Sequence, residues 1–208
     1  MHVNRYADRD DAGRRLAEAL RGAAAPDAVV IGLARGGAPV AAGVADALGL
    51  TFDVLAVRKI GHPAQPEYAI GAIAPGGPVF LRDPAGVSRH DLDRGVEGAM
   101  AEAGRLDAAL HVERAHPDLA GRACVLVDDG LATGATMVAA ARWARTRGAR
   151  TVVAAVPVGA PESLTALAAE VDAVVCPLTP GRFGAVGAWY DDFAPVEEAA
   201  VLALMRGG

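Results

Sequence analysis

The stretch "VLVDDGLATGAT", Val125 to Thr136, places two kinds of chemistry side by side. An apolar run ends on two adjacent carboxylates, Asp128 and Asp129, whose charges repel, and a loop of small residues follows at once. Buried acids at a strand end need compensation from hydroxyl donors or a divalent cation, since each would otherwise shift its pKa or destabilise the fold by several kcal/mol. Beyond them, Gly130, Ala132, Gly134 and Ala135 let the backbone turn its N–H groups inward, and Thr133 and Thr136 add hydroxyls just before a helix begins. A helix N-terminus carries about half a positive charge and unsatisfied N–H groups, which together make an anion site. The spacing is neither GxxxxGK[ST] nor GxGxxG, so neither the P-loop nor the dinucleotide fingerprint applies. The residues describe a phosphate cup with an acidic lip, suited to a sugar phosphate whose hydroxyls meet the carboxylates.

Two further stretches could contribute cations. "GLARGG", Gly32 to Gly37, follows an apolar run and sets Arg35 among residues small enough for close backbone approach. "VRKIGHPAQPEYAIGAI" begins with the basic pair Arg58 and Lys59, suited to charge-assisted bonds with an anion. Near the C-terminus "GRFGAVGAWYDDF" gathers Phe183, Trp189, Tyr190 and Phe193 in a chain that is only 4% aromatic. A planar ring could stack there for about 1 to 3 kcal/mol, or the rings could simply close the end of the core. Glu67, Tyr68, Asp191 and Asp192 are open on the same terms. His62, His111 and His116 read as exposed single residues with structural rather than catalytic or metal roles. Neither a Ser-His-Asp nor a Cys-His set is evident.

These loops need a scaffold, and the pattern supplies one. Short apolar runs "DAVVIGL", "TFDVLAVRK", "ACVLVDD", "TVVAAVP" and "AVVC" read as parallel strands buried on both faces. Helices are expected from about Ala12 to Arg21, Pro39 to Leu48, Met137 to Arg147, Glu162 to Glu170 and Val196 to Arg206. Alternation of strand and helix predicts a doubly wound parallel sheet in a single domain across 1–208. A polar helix over 89–115 reads as an excursion from that core, and 178–208 as a small C-terminal hood and helix. The segment after Lys59 reads as an exposed loop, followed by a hairpin around "PGG". At 208 residues the chain is long enough for such a core, built from Ala, Val and Leu. A net charge of −5 argues against a nucleic-acid partner, and the want of a long apolar window or leader-like start argues for a cytoplasmic protein with no membrane contact. Cys124 and Cys176 read as buried thiols rather than a disulfide or metal pair.

"VLVDDGLATGAT" resembles the phosphoribosyl pyrophosphate signature of the type I phosphoribosyltransferases, and the "RGG" and "RKIG" stretches resemble a branch of that family with a similar "RK.G.P..PE.A.GA" pattern. The resemblance covers Val29 to Ile73 and Cys124 to Pro157. It implies that Asp128 and Asp129 hold the ribose hydroxyls and, through the substrate, Mg²⁺. It implies that Leu131, Ala132, Thr133, Gly134, Ala135 and Thr136 hold the 5-phosphate, and that Ala34, Arg35, Gly36, Arg58 and Lys59 meet pyrophosphate, with Arg35, Arg58 and Lys59 stabilising its departure. A loop over about Gly61 to Tyr68 would close on the site. The implied reaction is Mg²⁺-dependent transfer of ribose 5-phosphate from phosphoribosyl pyrophosphate to a nitrogenous acceptor, with Phe183, Trp189 and Tyr190 as acceptor-site candidates and a homodimer compatible with the family. Ala132 stands where the hypoxanthine-guanine branch commonly has an aspartate, which puts that branch's proton chemistry in doubt; the loop is nearer the adenine branch's "ATGxT". A non-catalytic regulator that senses the same ligand is the alternative, and a phosphosugar hydrolase or mutase would need a nucleophile that is not evident.

Overall fold

Within each apolar run, successive side chains point to opposite sides of one sheet, and helices cover both sides. The computed structural model describes residues 5–82, 84 and 86–207, without the side chains of residues 66 and 67. Its larger sheet contains β1 (Val29–Ala34), β2 (Thr51–Ala56), β6 (Ala123–Val127), β7 (Thr151–Ala155) and β8 (Ala173–Val175). All neighbours are parallel, in the order β2-β1-β6-β7-β8. Val30, Val125, Val127 and Val153 pack on α1 (Arg9–Leu20) and α2 (Gly37–Leu48). Val29, Ile31, Cys124, Leu126 and Val152 face the opposite side, against α4 (Ala135–Thr146) and α5 (Pro161–Leu167). The doubly wound parallel sheet expected from the sequence is therefore present. From the β1/β6 pair the chain winds outward in two directions, to β2 on one side and to β7 and β8 on the other. The loops leaving β1 and β6 diverge there and open a crevice at the strand ends.

The segment after β2 departs from expectation. "TFDVLAVRK" is not one strand: the chain leaves the parallel sheet at Val57, and β3 (Arg58–His62) pairs antiparallel with β4 (Gln65–Ile73). β4 pairs in turn with β5 (Phe80–Leu81), so the hairpin around "PGG" is present and the stretch read as an exposed loop is mostly a second hairpin. Its cause is a separate small core, in which Ile60, Ile70 and Ile73 pack with Leu92, Val96 and Ala99 of α3 (Arg89–Leu110). At Gly71 a side chain would run into the carbonyl of Phe80, so the tight β4/β5 approach requires glycine. α3 also sends Leu106 and Leu110 onto Val54 and Ala56 of β2 and onto Val201 and Met205 of α6 (Glu198–Gly207). Trp143 of α4 spans the two sheets, fully buried, its Nε1 donating to the carbonyl of Pro75 at 3.1 Å. No helix among the described residues is long and apolar enough to cross a membrane.

The three histidines do not share one environment. His62 lies at the β3/β4 turn, but the His111 and His116 side chains are only 9% exposed and converge on the buried Asp53, which corrects the reading of both as exposed. Burial works to raise the Asp53 pKa, and hydrogen bonds from His111 and His116 outweigh it and hold the carboxyl below its usual range. Burial also disfavours the charged form of His116, lowering its pKa, yet its bonds to Asp107 and Asp53 raise it to about 9.

Candidate functional site

The crevice beyond β1 and β6 is a cavity of about 790 Å³. Ala34, Arg35 and Gly36 reach it from the end of β1, Arg58 and Lys59 from the start of β3, and Asp128, Asp129, Leu131, Ala132, Thr133, Gly134 and Thr136 from the loop after β6. Glu102 of α3 and Val186 complete that wall. Three stretches far apart in sequence are thus brought to one place by the winding of the sheet. Ala135 lies beneath, buried as the first residue of α4.

At the floor the two carboxylates sit side by side. Asp128 Oδ1 accepts from the Asp129 N–H at 2.9 Å. Burial first, and then the neighbouring Asp129 charge, push the Asp128 pKa well above the ordinary range. Burial raises Asp129 too, against the opposing bonds and charge of Arg9. Arg9 was not anticipated. Its Nε and Nη2 donate to Asp129 Oδ2 at 3.1 and 2.9 Å, its Nη1 donates to the Ala194 carbonyl at 2.8 Å, and its guanidinium lies 4.0 Å from the centre of the Phe193 ring. Two edges and one face of the cation are engaged, which holds Asp129 in one orientation. Gly36 leaves room for that orientation, because a Cβ there would overlap the Asp129 carboxylate. Gly37 is as constrained, its Cβ falling 2.5 Å from the Val127 carbonyl. Arg9→Ala is expected to raise the Asp129 titration further, since the opposing cation is lost while burial remains. Carbon-13 NMR of the carboxyl measures it, and an unmoved titration would show that Lys59 alone suffices.

The loop after Asp129 is fastened from outside and open within. Leu131 N–H donates to the Val158 carbonyl at 2.8 Å, Ser163 Oγ donates to the Ala132 carbonyl at 2.6 Å and Arg82 Nη1 to the Thr133 carbonyl at 3.2 Å. Gly134, with φ of 79°, makes the left-handed turn into α4 and gives that helix no side-chain cap. The first N–H groups of α4, where Gly134 and Thr136 line the cavity, therefore have no side-chain oxygen capping them. Around the rim, Arg35 is 43% exposed with Glu197 Oε2 3.9 Å away, and Lys59 is exposed. Arg58 Nε lies 2.9 Å from Glu102 Oε1 at an angle too poor for a hydrogen bond.

The C-terminal rings are arranged differently. Tyr190 is 2% exposed, stacks near Tyr6 and donates its hydroxyl to the Asp129 carbonyl at 2.6 Å. Trp189 Nε1 donates to the Phe183 carbonyl at 2.8 Å, and both rings pack with Val186 and Phe193. From this segment only Val186 lines the cavity, and Tyr190 supports Asp129 from behind instead of presenting a stacking face. That burial corrects the idea of Tyr190 as an open platform. Tyr68 is 55% exposed on β4, and Asp191 pairs with Arg5 at 3.5 Å.

Comparisons with known proteins identify the family and the fold. The family model for the phosphoribosyl transferase domain matches residues 2–185. A Mycobacterium tuberculosis protein provisionally named a phosphoribosyl transferase is 42% identical over 205 residues, covering 96% of this chain. That alignment takes in 46% of the relative, so the chain spans about half the length of the curated relatives it matches most fully. The adenine phosphoribosyltransferase of Mycobacterium avium is 36% identical over 128 residues, 62% of this chain and 54% of its own. Among solved structures, the protein TT1426 from Thermus thermophilus superposes with a TM-score of 0.82 at 40% identity, covering 97% of each chain.

Proposed function

The chain belongs to the phosphoribosyl transferase domain family, and from that premise we propose that it transfers ribose 5-phosphate from phosphoribosyl pyrophosphate to a nitrogenous acceptor of nucleobase type, releasing pyrophosphate. The observation that carries this reading is the uncapped N-terminus of α4 set beside the Asp128–Asp129 pair in one cavity. Phosphate oxygens would accept from the N–H groups of the 132–136 loop and from the Thr133 and Thr136 hydroxyls, aided by the helix dipole. The ribose hydroxyls would donate to Asp128 and Asp129, giving the repelling acids the partners their raised pKa values call for. Arg9 and Tyr190 hold Asp129 so that its free edge faces the sugar.

With both ends of the sugar fixed, the anomeric carbon would lie between the loop after β6 and the rim of Arg35, Arg58 and Lys59. Positioning of this kind replaces a covalent nucleophile. The rim cations would take the charge that develops on the departing pyrophosphate, where fixed charge in a partly closed site lowers the barrier. Mg²⁺ fits the floor: the donors are hard carboxylate oxygens, and Asp128 keeps an oxygen free of Arg9. When bound with the substrate it would add charge neutralisation at the pyrophosphate. Ala132 provides no carboxylate for the acceptor's proton, so the acceptor must lose it to solvent or to another group. The β3–β4 hairpin tip, with His62 and Tyr68, would cover the acceptor and exclude water.

Release of pyrophosphate from phosphoribosyl pyrophosphate and Mg²⁺, measured across purines, pyrimidines and other nitrogen acceptors, tests the reading. Turnover with at least one acceptor is expected. Tight binding without release under any condition would instead identify a sensor of the same ligand, and no binding at all would remove the proposal.

A further inference from the structure

Away from the cavity, β2 and the connection between α3 and β6 bring four titratable groups together. Asp53 is fully buried, with His111 Nε2 3.2 Å from its Oδ1 and His116 Nδ1 2.6 Å from its Oδ2. The outer nitrogen of each ring is also engaged: His111 Nδ1 lies 2.9 Å from the Asp107 carbonyl, and His116 Nε2 lies 3.1 Å from Asp107 Oδ1. All four ring nitrogens therefore face oxygen. A carbonyl can only accept, so His111 carries its proton on Nδ1, and a neutral ring then aims the Nε2 lone pair at the Asp53 carboxylate. His116 meets the same conflict between two carboxylates. A proton on each inner nitrogen relieves the conflict but places two cations with centroids 3.7 Å apart, and one divalent cation in place of the inner protons also relieves it.

The second arrangement is the one metal-binding histidines show, with inner lone pairs converging and outer N–H groups held by a carbonyl or carboxylate. We propose that Asp53, His111 and His116 form a structural site for a divalent cation of the zinc class, with Asp107 orienting both rings from behind. One donor atom from each of the three lies within 4.8 Å of the others. Bond lengths of about 2.0 to 2.1 Å in a four-coordinate site set neighbouring donors about 3.3 Å apart. The 3.2 Å contact of His111 with Oδ1 already matches, whereas the 2.6 Å contact of His116 is with the other oxygen, Oδ2, so His116 must move to share one ion with the other two donors. His116 can make that movement because it lies outside regular secondary structure, between α3 and β6. Two imidazoles and one carboxylate select zinc or its neighbours over Mg²⁺ and Ca²⁺, which prefer oxygen alone. A water molecule would supply the fourth ligand.

Arg114 is the other charge in the cluster. Its Nη2 lies 3.8 Å from Asp53 Oδ1 but bonds to the Phe52 carbonyl and contacts Met205 Sδ, so it stays beside the ion without occupying its place. The bound cation would pin residues 111–116 to β2 and thereby fix the approach to β6, the strand that ends in the acid pair.

The test uses the full chain, stripped with chelator, given Zn²⁺ and desalted. Expected results are about one zinc retained per chain, a rise of several degrees in the thermal midpoint, and visible ligand-field bands of four-coordinate Co²⁺ when cobalt replaces zinc. His111→Gln and His116→Gln should each lose retention, while the doubly substituted Asp128→Asn, Asp129→Asn chain should keep it, which separates this site from any metal at the cavity. Absence of stoichiometric retention, or cobalt bands of the six-coordinate type alone, would overturn the proposal in favour of a doubly protonated pair. Both readouts are made on the unaltered chain, so they decide the matter even if a histidine variant fails to fold.

Discussion

Asp128→Asn should make the free protein more stable and weaken its hold on phosphoribosyl pyrophosphate. Burial and the adjacent Asp129 charge raise the folded-state pKa of Asp128 well above its usual 3.8. A raised carboxyl binds its proton more tightly in the native state than in the unfolded chain. The associated stability is complete below the unfolded value and is lost as pH climbs from there through the raised folded value. At neutral pH the native state therefore bears the strain of a charged or partly charged buried acid. Asparagine removes that charge and still offers an oxygen to the Asp129 N–H, so a gain in stability is expected at neutral pH, shrinking to nothing near pH 4. Thermal midpoints of the two proteins across pH measure the crossing. The ligand side moves oppositely. A hydroxyl bonded to a carboxylate contributes about 1.5 to 3 kcal/mol, so affinity should fall roughly 10- to 150-fold in calorimetry. A variant less stable than the parent at neutral pH would mean that the acid pair is satisfied within the free protein.

Much of this site could be read from the chain because its parts are local. The strand, the acid pair and the small-residue turn of 125–136 follow one another without a break, and the central strands β1, β6 and β7 are buried on both faces, which leaves a continuous apolar run in each. Where side chains meet across long separations, the sequence offered less. His111 and His116 look solvated because their partner Asp53 lies some sixty residues earlier, with no local sign that it is buried. The β3–β4 hairpin was obscured by its register shifts at Ile60, Gly61 and His62, which break the period of two, and by its prolines. Arg9 left one faint trace: it opens α1, where a cation opposes the helix dipole, among Asp8, Asp10 and Asp11. A basic residue in that unfavourable position has a reason to be there, and the reason is Asp129, 120 residues on.

The largest stability loss is expected from Trp143→Ala. The indole is fully buried on α4 and touches three parts of the fold at once. Its Nε1 holds the Pro75 carbonyl at 3.1 Å, its edge meets the His116 ring with centroids 5.1 Å apart, and it packs with the residues of β1 and β6 that face α4. Truncation removes the transfer energy of the ring, leaves a cavity between the sheets and strands a carbonyl, together costing about 3 to 5 kcal/mol. For a chain of this size that lowers the thermal midpoint by roughly 6 to 20 °C. Trp143→Phe keeps most of the volume and should lose about 1 to 2 kcal/mol, chiefly through the unpartnered carbonyl. If the indole were a local filler, both variants would bind ligand as the parent does once folded. α4 connects it to the phosphate cup, however: Ala135 and Trp143 lie on one helix, and loosening the packed end frees the N-terminus that the anion needs held. The alanine variant should therefore bind phosphoribosyl pyrophosphate more weakly even at temperatures where circular dichroism shows it folded, and the phenylalanine variant should bind it nearly as the parent does. Equal affinity in all three would confine Trp143 to the core and leave the loop's fastening to Ser163, Arg82 and the Val158 carbonyl.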